Sequence, residues 1–145
     1  MNLSVFAERL SELIFERGLS ATGFAKILGC GDATIVRYLG GNKMPSVDML
    51  VRMADYFNCT TDFLMGTESE IYGKTFKPRP PFKEQLKFLC GKYGKTKYAL
   101  QKATGISETA ILNWQRGKTE PTVESIIKMA EFFGCSLDYT LGRES

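Results

Sequence analysis

The sequence contains no histidine, and its four cysteines form no CxxC pair. Zinc sites and histidine-based proton transfer therefore lack their usual parts. No run of 18 apolar residues occurs, so no membrane-spanning helix is expected. The N-terminus, Met1-Asn2-Leu3-Ser4, lacks a basic segment followed by an apolar one, and no secretory signal is expected. The chain is expected in the cytoplasm, where disulfides would be unusual. Cys30, Cys59, Cys90 and Cys135 are expected to be small buried thiols, because free cysteine is among the most buried residue types. No nucleophile–base pair, phosphate-cradling glycine loop or metal cluster is present. An enzyme is the least supported class, and neither a cofactor nor a small-molecule ligand is expected. No segment alternates with period two long enough to demand a sheet.

What is present is a repeat. Shifted by 76 positions, the chain lies on itself without a gap: Phe6 meets Phe82, Gly18 meets Gly94, Gly29 meets Gly105, Pro45 meets Pro121 and Gly66 meets Gly142. A unit duplicated without insertion or loss is one packed domain made twice. The reading is a first domain at 1–66, a linker at 67–80 and a second domain at 81–145. Hydrophobic content of 43% with 24% charged residues is ordinary for globular protein. The net charge of +3 is uneven: residues 1–66 hold six Lys/Arg against seven Asp/Glu, whereas 81–145 hold ten against seven.

Each unit reads as five short helices. In the first, Leu3, Phe6, Leu10, Leu13 and Ile14 form a helical stripe that Gly18 stops. Ser20 and Thr96 can cap helices over 21–28 and 97–104, which end at Gly29 and Gly105. Third helices follow at 32–39 and 108–115. Pro45-Ser46 and Pro121-Thr122 announce a fourth, and a last turn and a half spans 60–65 and 136–141. The segment 67–80, TESEIYGKTFKPRP, breaks the pattern. Its Ile71, Tyr72 and Phe76 suit either packing on a neighbouring domain or a short extended segment.

Residues 18–45 and 94–121 each hold a helix, a tight glycine turn, and a second helix ending in Gly with Pro four residues on. Two short helices joined by such a turn form the helix-turn-helix, whose second helix fits the DNA major groove. The stretch from Gly94 to Pro121, with the tail Phe132-Phe-Gly-Cys-Ser-Leu-Asp-Tyr-Thr-Leu-Gly142, closely resembles the phage repressor and Cro type of DNA-binding domain, the XRE family. The first copy is similar through Ala25, Leu28-Gly29, Ile35, Gly41, Pro45 and Asp62-Phe-Leu-Met-Gly66. The resemblance implies two tandem five-helix, lambda-repressor-like domains, all-α, in a transcriptional regulator whose partner is double-stranded DNA.

The resemblance places base reading in the second unit at Glu108, Thr109, Leu112 and Asn113. Their chemistry suits the task. Glu can accept from cytosine N4, Asn can pair with adenine, and Leu or the Thr methyl can touch thymine. Ser107 caps this helix. Phosphate-holding positions fall on Thr96, Lys97, Arg116 and Lys118; such contacts supply affinity rather than sequence preference. The first unit departs from the pattern. Its reading positions are Asp32, Ala33, Val36 and Arg37, Ala21 stands at the helix start, and Gly40 replaces Arg116. Ser20, Asn42 and Lys43 remain as phosphate partners. The second unit is expected to bind DNA more strongly.

Blander roles are assigned to several conspicuous residues. Trp114, Tyr38, Ile35 and Ile111 read as core; Lys83, Lys87 and Lys92, like Glu8, Glu12 and Glu16, read as solvated helix faces. Half-sites one helical turn apart lie about 34–36 Å apart, and a 14-residue linker extends to about 46–50 Å at most. One chain could thus cover an operator as an internal pseudo-dimer; a homodimer in which one unit mediates assembly is the competing arrangement. The rival function is an antitoxin-like or adaptor protein whose first unit binds another protein.

Overall fold

In the computed structural model, which describes residues 3–67 and 76–144, every described regular element is a helix. The chain divides into two compact units, Met1–Gly73 and Lys74–Ser145. The first holds α1 (Leu3–Glu16), α2 (Ala21–Leu28), α3 (Asp32–Leu39), α4 (Val47–Phe57) and α5 (Thr61–Met65). The second holds α6 (Phe82–Tyr93), α7 (Lys97–Thr104), α8 (Glu108–Gln115), α9 (Val123–Phe133) and α10 (Leu137–Leu141). The all-α class and the five-helix register of each unit are those expected from the sequence.

Local chemistry sets the boundaries. The hydroxyls of Ser20 and Thr96 accept from the backbone N–H of Gly23 and Ala99, each at 3.0 Å, and so satisfy an otherwise orphaned helix donor. Gly29 and Gly105, at φ 72° and 74°, turn the chain out of α2 and α7 through the left-handed region that a Cβ disfavours. This turn sets the second helix of each pair against its neighbour.

The cores use matched positions. Phe6, Phe24, Ile35, Leu50, Phe57 and Met65 are buried in the first unit; Phe82, Leu100, Ile111, Ile126, Phe133 and Leu141 are buried in the second. Tyr38 stands edge-on to Phe6 with ring centres 5.8 Å apart, and Trp114 stands edge-on to Phe82 at 5.9 Å. Both rings are core. In the first unit α1 packs on α3 and α5 while α2 packs on α3; in the second α6 packs on α8 and α10 while α7 packs on α8 and α9. A polar side chain on the first helix ties it to the last: Arg9 donates to the Phe63 carbonyl, and Gln85 donates to the Tyr139 carbonyl at 2.8 Å.

Three findings modify the sequence reading. Of the four cysteines, none in a disulfide, only Cys59 is buried; Cys30, Cys90 and Cys135 are half-buried. Cys30 follows the left-handed Gly29 in a surface turn, and Cys90 lies on the flank of α6 rather than at the centre of its apolar stripe. Second, residues 76–80 lie on the second unit. Lys77 N–H donates to the Arg143 carbonyl at 2.8 Å, Phe76 faces the Arg143 guanidinium at 3.9 Å, and Arg79 pairs with Glu120 at 2.7 Å. Phe76 is therefore a packed residue, whereas Ile71 and Tyr72 fall outside the described residues. Third, Arg143 is fully buried and donates to Asp138 at 2.5 Å. The matching Asp62 of the first unit is also buried, but accepts from the neutral Thr67 hydroxyl at 2.9 Å.

Candidate nucleic-acid interface

At 100° per residue, Ile111 and Trp114 fall on one side of α8, and Thr109, Leu112 and Asn113 fall on the other. Ile111 and Trp114 are buried. Glu108 and Thr109 are exposed, and Leu112 and Asn113 are half-buried. The core thus clamps the inner face of α8 and leaves its outer face accessible. Ser107 caps the helix by accepting from Ala110 N–H at 3.1 Å, which aims the positive end of the helix outward.

Cations stand at both ends of this helix. Lys97, the first residue of α7, places its ammonium 3.7 Å from the Glu108 carboxylate. At the other end α8 closes on Arg116, and Gly117 at φ 73° reverses the chain so that Lys118 N–H donates to the Asn113 carbonyl at 2.9 Å. Arg116 and Lys118 are both exposed. Thr96 is exposed; its hydroxyl oxygen is occupied as a cap acceptor, but the O–H remains able to donate. The Lys97–Glu108 pair was not anticipated from the sequence. It joins a cation assigned to phosphate and a carboxylate assigned to a base, and as an exposed pair is worth only about 0–1 kcal/mol.

The equivalent face of the first unit is more accessible and chemically thinner. Asp32, Ala33, Val36 and Arg37 are all exposed, Val36 to 58%. Asp32 accepts from the Thr22 hydroxyl at 3.0 Å, so the acidic residue that begins the third helix is again tied to the preceding helix, here through a hydroxyl. Gly31 begins α3 with no side-chain cap. Gly40 offers no side chain where the second unit has Arg116, and Asn42, Lys43 and Ser20 are exposed.

Tyr98 escaped the sequence reading. It is 66% exposed on α7, one residue beyond Lys97, and Lys102 Nζ lies 3.4 Å from its hydroxyl. With Gln101, Gly105 and Ser107 it lines a groove of about 320 Å³ beside the start of α8. Its repeat partner, the exposed Thr22, is the one available signal that this position faces solvent. Among the described residues, no group of three or more Cys, Asp or Glu side chains could hold a metal ion, and no helix is long and apolar enough to cross a membrane.

Comparison with known proteins agrees with this geometry. The helix-turn-helix family model matches residues 11–64 and again residues 86–140, together well over half of the chain. The HTH-type transcriptional regulator AnsR of Bacillus subtilis is 35% identical over 63 residues, 43% of this chain and 54% of that protein. Repressor protein C2 of Salmonella phage P22 is 42% identical over 43 residues, 30% of this chain and 20% of that protein. The chain therefore spans about half the length of the first relative and a fifth of the second. No solved structure matches it. Two matches to one family model, in register with two copies of the helix–turn–helix arrangement, establish that the chain belongs to the helix-turn-helix family of the phage repressor and Cro (XRE) type.

Proposed function

We propose that this chain is a sequence-specific double-stranded DNA-binding regulator of transcription, acting as a repressor. The third helix of each unit enters the major groove, α8 as the main reader and α3 as the weaker one. The observation that carries this reading is the accessible side of α8: Thr109, Leu112 and Asn113 on its outer face and the exposed Glu108 at its start, on a helix clamped by Ile111 and Trp114, with cations at either end. Asn113 offers a bidentate pair to adenine, Glu108 accepts from cytosine, and Leu112 and Thr109 provide apolar contact for thymine methyl groups. Lys97, Arg116, Lys118 and Thr96 hold phosphates and set the register. In the first unit Arg37 is the residue suited to guanine, and Ser20, Asn42 and Lys43 touch the backbone. Similarity to a named regulator and a named phage repressor supports the reading.

Two readers in one chain suit two half-sites. Binding of one unit raises the local concentration of the other, so affinity for a double site exceeds that of either unit alone. Selection of bound fragments from random duplex DNA, followed by footprinting, tests the proposal. A recurrent sequence with two protected half-sites per chain is expected. Recovery of no preferred sequence would remove the specific-regulator reading, and protection of one half-site per chain would remove the pseudo-dimer.

A second reading draws on the exposed Ala33 and Val36 and on the missing cation at Gly40. The first unit would then engage another protein, as in an antitoxin-like or adaptor molecule, and leave DNA to the second.

A further inference from the structure

The outer face of α1 carries an aromatic side chain that its own unit does not cover. Phe15 is 85% exposed. Glu8, Ser11 and Glu12, at spacings of seven, four and three, share its side of the helix, and all are exposed. In the second unit, a groove of about 280 Å³ runs between α6 and α8, lined by Lys83, Leu86, Lys87, Cys90 and Gln115. Leu86 and Cys90 give it buried and half-buried apolar surface, and the exposed Lys83, Lys87 and Gln115 border it. Burial pushes the Cys90 thiol pKa up, which keeps that surface uncharged near neutral pH. The volume exceeds the roughly 150 Å³ that accommodates a benzene ring.

Neither feature has a counterpart in the other copy. Phe15 corresponds to Gly91, while Lys83, Lys87 and Cys90 correspond to Ala7, Ser11 and Ile14. One unit therefore holds an aromatic knob framed by carboxylates, and the other holds an apolar socket framed by lysines. We propose that Phe15 of one chain seats in the α6–α8 groove of a second copy, with Glu8 and Glu12 facing Lys83 and Lys87. Made reciprocally, the contact closes into a two-chain species and cannot propagate further. A DNA phosphate is the rival occupant of the lysine pair. The apolar surface of Leu86 and Cys90 favours the aromatic ring, because a phosphate held by Lys83, Lys87 or Gln115 would leave that surface unfilled.

Sedimentation of the full chain at micromolar concentration, without DNA, is expected to show the two-chain species. Phe15→Ser removes the ring from both reciprocal contacts and should weaken the two-chain species roughly 100- to 10,000-fold, the value of burying two large apolar side chains. Reversal of the acids (Glu8→Lys with Glu12→Lys), or of the lysines (Lys83→Glu with Lys87→Glu), should give single chains, and the four changes together should restore pairing. Oxidation of Phe15→Cys should yield a disulfide-linked band of two-chain mass that Cys90→Ser abolishes. These positions are at or near the surface, and circular dichroism checks that each variant is folded. A wild-type protein that sediments as a single chain overturns the proposal, as does a cross-link confined to one chain. Lysine reversal that leaves pairing intact while weakening DNA binding would assign Lys83 and Lys87 to phosphate instead.

Discussion

The two units share a scaffold position for position and differ in what they offer to a partner. Matched core residues, the Ser20 and Thr96 caps and the left-handed Gly29 and Gly105 give the same helix–turn–helix arrangement twice. Around α8 stand Lys97, Arg116 and Lys118; around α3 the matching positions are Ala21, Gly40 and Asn42. A core position is constrained by every neighbour it touches, so few substitutions preserve packing. A surface position is constrained only by its partner. Duplication therefore kept the frame and left the faces free to diverge.

The largest expected contrast lies at the last helix. Asp138→Ala leaves the buried Arg143 without its carboxylate and should destabilise the second unit by about 3–5 kcal/mol. Asp62→Ala removes the bond from the neutral Thr67 hydroxyl, a loss worth about 1–3 kcal/mol to the first unit. Denaturant titration of the two variants, with equal losses, would show that the charge of Arg143 confers no special dependence.

Next in size is the cationic rim of α8. Replacing Lys97, Arg116 and Lys118 together with alanine should lower DNA affinity at least about a hundredfold at moderate salt. The log–log salt slope should become shallower by roughly two to three. Asn42→Ala with Lys43→Ala in the first unit should flatten it by at most about one. If the first unit instead binds another protein and leaves DNA to the second, the α8 change should persist while the first-unit change disappears, so this pair of slopes decides between the two functional readings.

Asn113→Ala should relax discrimination at one base pair by about 1–3 kcal/mol without altering the salt slope, whereas Ala33→Ser in the first unit should leave sequence preference nearly untouched. Competition binding with single-base operator variants measures both. A loss spread evenly over every position would instead place Asn113 on the backbone.

The smallest difference is at the helix starts. Ser107→Ala should cost about 1 kcal/mol of stability, while Gly31→Ser should gain a few tenths by giving α3 the cap that α8 already has. No atom lies within 4 Å of the position a Cβ would take at Gly31. Thermal melts read out both, and a destabilising Gly31→Ser would show that the hydroxyl cannot reach its N–H.

Most of the frame was legible from short-range signals. The stripe from Phe6 to Ile14, the cap at Ser107 and the left-handed stops at Gly18 and Gly94 each act within a turn or two of helix. Their effect can be read wherever they occur. The candidate reading face was legible only because the helix period separates Ile111 and Trp114 from Asn113. Interactions across the turn were not. Nothing near Glu108 in the chain announces Lys97, eleven residues earlier, and the Thr22–Asp32 bond is equally silent. Phe76 read as an ambiguous linker residue because its partner, Arg143, lies at the far end of the second unit.

The amino-acid sequence by itself determined the number of units, the ten helices among the described residues and their ends, since periodicity, caps and glycine act locally and twice over. Only the tertiary structure decided which side chains stay uncovered. It left Tyr98 and Phe15 exposed, opened a groove beside Cys90 and sealed Arg143 from water. Exposure depends on which distant helix comes to lie over a residue, and that depends on all the contacts of a unit at once.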